Sequence, residues 1–325
     1  MKRCFLGIDI GSVSSNFVAV DESLNVIDKI YLRTQGQPIN VIKKGLSLIK
    51  NSLVDYKVSG VATTGSGREL ASLVVGADTV KNEITAHAVA ALKCCPDVRT
   101  VLEIGGQDSK IIILKDKIVY DFAMNTVCAA GTGSFLDRQA ARLGIPIEEF
   151  GSYAVKSKNP VRIAGRCAVF AESDMIHKQQ TGQCLEDIIC GLCQALVRNY
   201  LNNIAKGKTL EEPIIFQGGV AANIGIVAAF EKELNAKLIV PEHYDVMGAL
   251  GAAIISKGQY EKKGYTSFAG FDIINYSYST KSFQCENCPN CCEVIELCSE
   301  GEVSARWGDR CGMHSQVRKK IDQAI

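Results

Sequence analysis

Leu6-Gly7-Ile8-Asp9-Ile10-Gly11-Ser12 stands at the start of the chain and is followed by the apolar run Phe17-Val18-Ala19-Val20. The plan returns at Thr100-Val101-Leu102-Glu103-Ile104-Gly105-Gly106-Gln107-Asp108, followed by Ile111-Ile112-Ile113-Leu114. In both, an apolar strand reaches an acid, then Ile-Gly, then small or polar residues, then a second strand. That is a β-hairpin with a glycine turn and a strand-end carboxylate, used twice. Two such hairpins facing each other can hold the phosphates and the metal of one nucleotide.

The turn chemistry supports this. Glycine reaches backbone angles that other residues avoid and leaves room for a phosphate against the main chain. Successive N–H groups in such a turn form an anion-binding concavity. Gly11 with Ser12, Ser14 and Ser15, and Gly105 with Gly106, are the candidate phosphate contacts. Asp9 would repel phosphate directly, so its expected task is to orient Mg²⁺-bound water or the attacking water. Gln107 and Asp108, with Glu103 at the strand end, are placed to act from the second turn. A third segment, Ile214-Ile215-Phe216-Gln217-Gly218-Gly219-Val220-Ala221-Ala222-Asn223, reads as a strand, a Gly-Gly turn and a helix start. Such a helix N-terminus suits a nucleoside or phosphate. Gly248-Ala249-Leu250-Gly251-Ala252-Ala253 admits a flat base or a neighbouring helix, and helix packing is the default there. Taken singly, each glycine segment is also an ordinary turn for close packing.

Two cysteine motifs lie in the second half of the repeat. One is Asn125-Thr126-Val127-Cys128-Ala129-Ala130-Gly131-Thr132-Gly133-Ser134-Phe135-Leu136-Asp137, the other Cys167-Ala168-Val169-Phe170-Ala171-Glu172-Ser173. Helical sequence follows each. The order of hairpin, hairpin and Gly-Gly segment resembles the actin, Hsp70 and sugar-kinase superfamily. With the cysteine motifs, the chain resembles the ATP-dependent activators of 2-hydroxyacyl-CoA dehydratases. Their relatives are benzoyl-CoA reductase ATPases and reductases of double-cubane cluster proteins. The resemblance covers roughly residues 3–258.

The resemblance implies an α/β, actin-like ATPase with two duplicated ribonuclease-H-like lobes. Lobe I is expected at 1–97 with a return helix at 245–258, and lobe II at 98–244. It implies ATP/ADP and Mg²⁺ as ligands, with Gly131, Thr132, Gly133, Gly218, Gly219, Val220, Asn223 and Gly248 joining the hairpin glycines. It implies a homodimer sharing one [4Fe-4S] cluster, held by Cys128 and Cys167 of each subunit. A cubane needs four thiolates, and a helix N-terminus carries about +0.5 elementary charge, which lowers thiolate pKa. The implied activity is ATP-driven one-electron transfer from that cluster to a partner iron–sulfur enzyme, a 2-hydroxyacyl-CoA dehydratase or a double-cubane cluster protein. Ferredoxin or flavodoxin is the implied donor. One departure is visible: Glu103 stands where the resemblance leads one to expect Asp. Two other classes stay open on this fold, a small-molecule kinase and a nucleotide-dependent regulator.

Composition agrees. The chain has 325 residues, enough for two packed lobes and a small appendage. A net charge of +1 gives no electrostatic case for nucleic acid or an anionic membrane. No apolar run reaches the roughly 18 residues of a membrane span. Asp9 and Gly11 interrupt the opening apolar stretch, which reads as a strand rather than a signal peptide. The expected location is the cytoplasm, where disulfides seldom persist, so the fourteen cysteines call for other roles. Cys4, Cys94, Cys95, Cys184, Cys190 and Cys193 read as structural. Cys285, Cys288, Cys291, Cys292, Cys298 and Cys311 crowd the C-terminal extension, 265–325, and two strands there suggest a small ribbon. By spacing, Cys285, Cys288, Cys292 and Cys311 are the best metal tetrad, for structural Zn²⁺ or a second iron–sulfur cluster. A ribbon with little core of its own would need the metal to fold.

Overall fold

The computed structural model describes residues 1–125 and 128–315. Thr126 and Val127 of the first cysteine motif, and the extension beyond 315, lie outside the described residues. The chain divides into two compact units, one formed by Met1–Asn82 and the chain from Ala252 onward, the other by Glu83–Gly251.

The first unit opens with an antiparallel meander, β1 (Lys2–Ile10), β2 (Ser14–Asp21) and β3 (Val26–Arg33). Helix α1 (Pro38–Lys50), β4 (Tyr56–Thr64), α2 (Arg68–Val75) and β5 (Thr79–Val80) follow, giving the order β3-β2-β1-β4-β5 with β4 and β5 parallel to β1. Inner strands are near-continuous apolar runs, as expected where both faces of a sheet are covered. Ile42, Leu46 and Ile49 of α1 and Val74 and Val75 of α2 share one buried core with Leu6, Ile8 and Ile10 of β1.

The second unit repeats the plan. After α3 (Glu83–Cys94) come β6 (Thr100–Ile104), β7 (Ser109–Lys115) and β8 (Ile118–Asn125), then α4 (Gly133–Leu143), α5 (Ile147–Ala154), α6 (Ala168–Gln180) and α7 (Leu185–Asn203). β9 (Ile214–Gln217), α8 (Ile224–Leu234) and β10 (Leu238–Ile239) follow, and the division between the units falls within α9 (Met247–Lys263). The sheet order is β10-β9-β6-β7-β8, so a three-stranded meander again receives two parallel strands beside its first strand. The duplication is one of topology, not only of motif. Helix α7 is the hub of this core: Ile188, Leu192, Leu196 and Tyr200 pack with Leu102, Ile104, Phe216 and Phe230.

Two boundaries differ from the sequence expectation. The division falls after Asn82 rather than at 97, because Ile84, Ala88 and Ala91 of α3 pack on Val101, Ile112 and Ile215 of the second sheet. The return helix expected at 245–258 runs on to Lys263 as the end of α9. Lys257 and Glu261 pair one turn apart at 2.5 Å, and Tyr260 packs on Phe5 with ring centroids 5.8 Å apart.

The C-terminal extension forms a sheet of three strands, β11 (Tyr278–Gln284), β12 (Glu293–Ser299) and β13 (Glu302–Trp307), all antiparallel. Its apolar residues are not isolated. Leu297 and Ala305, with Ile273 before them, are buried in the same core as α1 and β1. Lys43 Nζ on α1 donates to Tyr276 O at 2.8 Å, and Asp78 accepts from Thr266 Oγ1 at 2.7 Å. Among the described residues, no helix is long and apolar enough to cross a membrane.

Candidate functional site

Both hairpins close in the same way. Gly11 N donates to Ser14 O at 2.8 Å, and Gly105 N donates to Asp108 O at 3.0 Å. Asp9 ends β1 opposite Asn16 on β2 and Thr64 on β4; Glu103 holds the same place on β6, opposite Lys110 and Gln217. After each parallel strand comes a glycine in the left-handed region, Gly65 (φ 85°) and Gly218 (φ 87°). A Cβ at Gly65 would lie 2.3 Å from Asp9 Oδ1, and one at Gly218 would lie 2.8 Å from Glu103 Oε1. Only glycine meets both the angle and the space. Gly65 therefore matches Gly218 across the duplication, which the sequence reading had not paired.

The turn residues divide by role. Ser12 is exposed and Ser14 half-buried, at the rim of the first turn. Ser15 is buried, and its hydroxyl shares a 2.8 Å hydrogen bond with Thr34 Oγ1, which also lies 2.8 Å from Gly11 O. Ser15 and Thr34 thus brace the turn from inside. In the second turn Gln107 is exposed, and Gly106 and Asp108 are half-buried.

Behind that turn lies an ion cluster that the sequence did not reveal. Lys110 Nζ, with its side chain 3% exposed, is 3.0 Å from Glu103 Oε2, 2.8 Å from Asp108 Oδ2 and 3.6 Å from Glu83 Oε2. Burial pushes the Glu103 carboxyl up to about 7; Lys110 opposes the rise and the Asp108 charge adds to it. Burial works against the Lys110 ammonium, but its three carboxylate neighbours outweigh that and hold it above the usual lysine value. Beside this cluster, His87 is buried and its Nδ1 lies 2.7 Å from Gln217 Nε2. Burial, with Lys110 nearby, lowers His87 to about 3, so the imidazole is neutral. It is a structural histidine.

The first cysteine motif is fastened to the second hairpin. Gly133 N donates to Gly105 O at 2.8 Å, and Ser134 N to Gly106 O at 2.9 Å. The first N–H groups of a helix lack partners within it; here the turn carbonyls supply them for α4. Cys128, half-buried, donates its N–H to Asn125 Oδ1 at 2.9 Å and accepts at its carbonyl from Asn125 Nδ2 at 2.8 Å. Cys167, also half-buried, sits in extended conformation as the N-cap of α6. Helices α4 and α6 are then cross-linked: Glu172 on α6 lies 2.5 Å from Arg142 Nη1 and 3.1 Å from Arg138 Nε on α4. Thr132 and Gly131 are buried in the turn between Cys128 and α4.

The remaining candidates are more dispersed. Gly219, Val220 and Ala222 form a 3-10 turn after β9, and Asn223 caps α8, its Oδ1 accepting from Gly225 N at 3.0 Å and Ile226 N at 3.1 Å. Gly248 is buried at the start of α9. In the extension, Cys285 N donates to Cys292 O at 2.8 Å and Cys285 Sγ lies 3.3 Å from His314 Nε2, while Cys288 and Cys311 are exposed. Among the described residues, no three or more His, Cys, Asp or Glu side chains converge to hold a metal ion. The expected tetrad is therefore not brought together.

The chain belongs to the BadF/BadG/BcrA/BcrD ATPase family, which it matches over residues 6–256. It is 34% identical over 254 residues to the 2-hydroxyisocaproyl-CoA dehydratase activator of Clostridioides difficile, covering 77% of this chain and 93% of that protein. To the (R)-2-hydroxyglutaryl-CoA dehydratase activating ATPase of Acidaminococcus fermentans it is 31% identical over 250 residues, 77% of this chain and 95% of that one. The solved structure of the activator of the 2-hydroxyisocaproyl-CoA dehydratase from Clostridium difficile with bound ADPNP matches with a TM-score of 0.73 at 32% identity, covering 80% of this chain and 97% of that one. The fold is that of actin-like ATPases, with two duplicated α/β lobes and a small C-terminal sheet. The ribbon lies beyond the family match.

Proposed function

We propose that the protein is an ATP-dependent electron-transfer activator that, as a homodimer, delivers single electrons to an iron–sulfur dehydratase or reductase. Names of relatives support the partner class: 2-hydroxyacyl-CoA dehydratases are what those activators serve. The carrying observation is the pair Cys128 and Cys167, both half-buried, each leading into a helix, with those helices tied together by Glu172. The donor set suits a [4Fe-4S] cluster shared by two copies, since a cubane needs four thiolates and each chain offers two. Val169 and Phe170, just after Cys167, are 69% and 64% exposed, which suits burial against a second copy. When bound, the cluster would supply one-electron chemistry at low potential.

The protein's own residues do the coupling. The glycine turns of the two hairpins offer backbone amides that would hold phosphates of ATP, and Asp9 would orient Mg²⁺-bound water. The second turn gives its carbonyls to the N-terminus of α4, so a phosphate that shifts this turn also shifts the helix beside Cys128. Nucleotide state then biases the cysteine segment, provided ATP and ADP favour different positions of the turn. Ferredoxin or flavodoxin is the proposed donor, and the cytoplasm the proposed location.

Anaerobic purification tests this reading. The expected material is brown, with about four irons per dimer, the number in one cubane. Cys128→Ser and Cys167→Ser should lose iron while still binding ATP. Asp9→Ala should stay brown and lose ATP turnover. A colourless wild type that phosphorylates a metabolite would instead establish the kinase class.

A further inference from the structure

Asn199, on α7, reaches both cysteine segments. It is 1% exposed. Its Nδ2 lies 2.6 Å from Gly165 O and 3.4 Å from Arg166 O, the two residues before Cys167. The same Nδ2 lies 3.8 Å from Cys128 Sγ, a long N–H···S contact. Two carbonyl oxygens at one end of the amide require that end to be the NH₂, since carbonyls only accept. A donor therefore points at the Cys128 sulfur. At the other end, Asn199 Oδ1 is buried with no hydrogen-bond partner among the described residues. A buried polar atom left so is uncommon, and it argues that the residue is held for its donor end. Gly131 of the cysteine motif makes the room: a Cβ there would lie 2.8 Å from Asn199 Oδ1.

We propose that Asn199 is the positioning residue of the cluster site: it fixes the Cys167 segment against Cys128 and donates a hydrogen bond to the Cys128 sulfur. The proposal rests on Cys128 and Cys167 being the cluster ligands. Hydrogen bonds to ligand sulfurs help set iron–sulfur potentials, and neighbours of the ligands tune affinity as well. An N–H donor favours the electron-rich, reduced state, so its loss makes the site harder to reduce.

The test compares anaerobically reconstituted wild type with Asn199→Ala and Asn199→Asp. Iron content, a redox titration and the EPR spectrum of the reduced protein are measured, with ADP-induced thermal shift as the check on folding. A lost hydrogen bond of this kind is worth about 1 kcal/mol. The expected result for Asn199→Ala is about fivefold less reduced protein at a fixed potential, about 43 mV for one electron, with an altered EPR signal. Asn199→Asp, which removes the donor at nearly unchanged volume and adds negative charge, should shift further the same way; it carries the test if the alanine variant does not fold. An unshifted potential and spectrum in a folded, iron-loaded variant overturns the proposal and leaves the cluster reading standing. A wild type without iron overturns both.

Discussion

Lys110→Met removes the only ammonium among Glu103, Asp108 and Glu83 in the described cluster. The lysine side chain is 3% exposed and that of Glu103 6%, so water cannot replace the lost partner. Breaking a buried pair from one side costs about 3–5 kcal/mol. Protonation of Glu103 limits that loss, and it gives the prediction its sign. In the wild type the Glu103 carboxyl already stands near 7, against 4.5 in the unfolded chain. Without Lys110 it rises further. A carboxyl raised in the folded state contributes stability at low pH that is lost as pH climbs through its folded value. The variant's deficit should therefore widen from pH 6 to pH 8.5, by up to about 1.4 kcal/mol per pH unit. Trp307, the sole tryptophan, lies on β13 in the other unit and does not report here. Hydrogen exchange of peptides spanning β6 and β7 in urea, corrected for intrinsic rates, does. Lys110→Met combined with Glu103→Leu should recover at least half the loss at pH 8.5. A single-variant loss below about 1 kcal/mol, or one equal at both pH values, would refute the assignment of Lys110 as the charge that sustains Glu103.

The other predictions are simpler. His87 stays neutral in the fold to about pH 3, whereas the unfolded chain takes up its proton near 6.5, so acidification across that window destabilises the wild type. His87→Gln should flatten that part of the acid limb of the melting curve, and an unchanged limb would exclude His87 as its source. Leu297→Ala should destabilise the first unit by about 2–5 kcal/mol, read from Trp307 fluorescence in urea; a fall below about 0.5 kcal/mol would mean the ribbon does not share that core. Glu172→Gln weakens the partly exposed link between α4 and α6 by about 1 kcal/mol. Iron should then be lost to a chelator about fivefold faster, and an unchanged rate would remove the link from any role in holding the cysteines together.

The hairpins were legible because their signal is local: acid, Ile-Gly and apolar flanks lie within a few residues of one another. The cysteine-helix junctions were legible for the same reason. What stayed hidden depends on register or on distant chain. Lys110 meets Glu103 only because β6 and β7 pair in one register, and Asn199 lies 71 positions from Cys128. Thr34 braces Ser15 from β3's end, which no spacing rule foretells. The bounds of β11 were not legible because nearly all of it is exposed and polar, so it lacks alternation. The last turn of α9, beyond 258, was not legible because Gln259–Lys263 is polar and charged and carries no apolar stripe. The C-x-x-C spacing of the C-terminal cysteines is local, but their convergence on one metal needs Cys311 to come back to that turn, which no spacing rule foretells.

Duplication gave two acids one position and different chemistry. Across the ladder from Asp9 stands Asn16, a neutral amide; across from Glu103 stands Lys110, a buried cation. Glu103 is therefore compensated within its own unit, and its longer side chain is the one that reaches Lys110 Nζ at 3.0 Å. A carboxylate already matched by an ammonium has less charge to offer a divalent cation. Asp9 is half-buried at the rim of its turn, where Gly65 leaves its carboxylate room. The departure from Asp to Glu at position 103 thus divides the work. Under the proposed function Asp9 would orient the metal-bound water, while Glu103, with Lys110, stiffens the turn whose carbonyls cap α4. On that division, Asp9→Asn should abolish ATP turnover, measured as phosphate release, at unchanged melting temperature. Glu103→Gln should alter stability and its pH dependence more than turnover. The reverse pattern would move the metal role to the second hairpin.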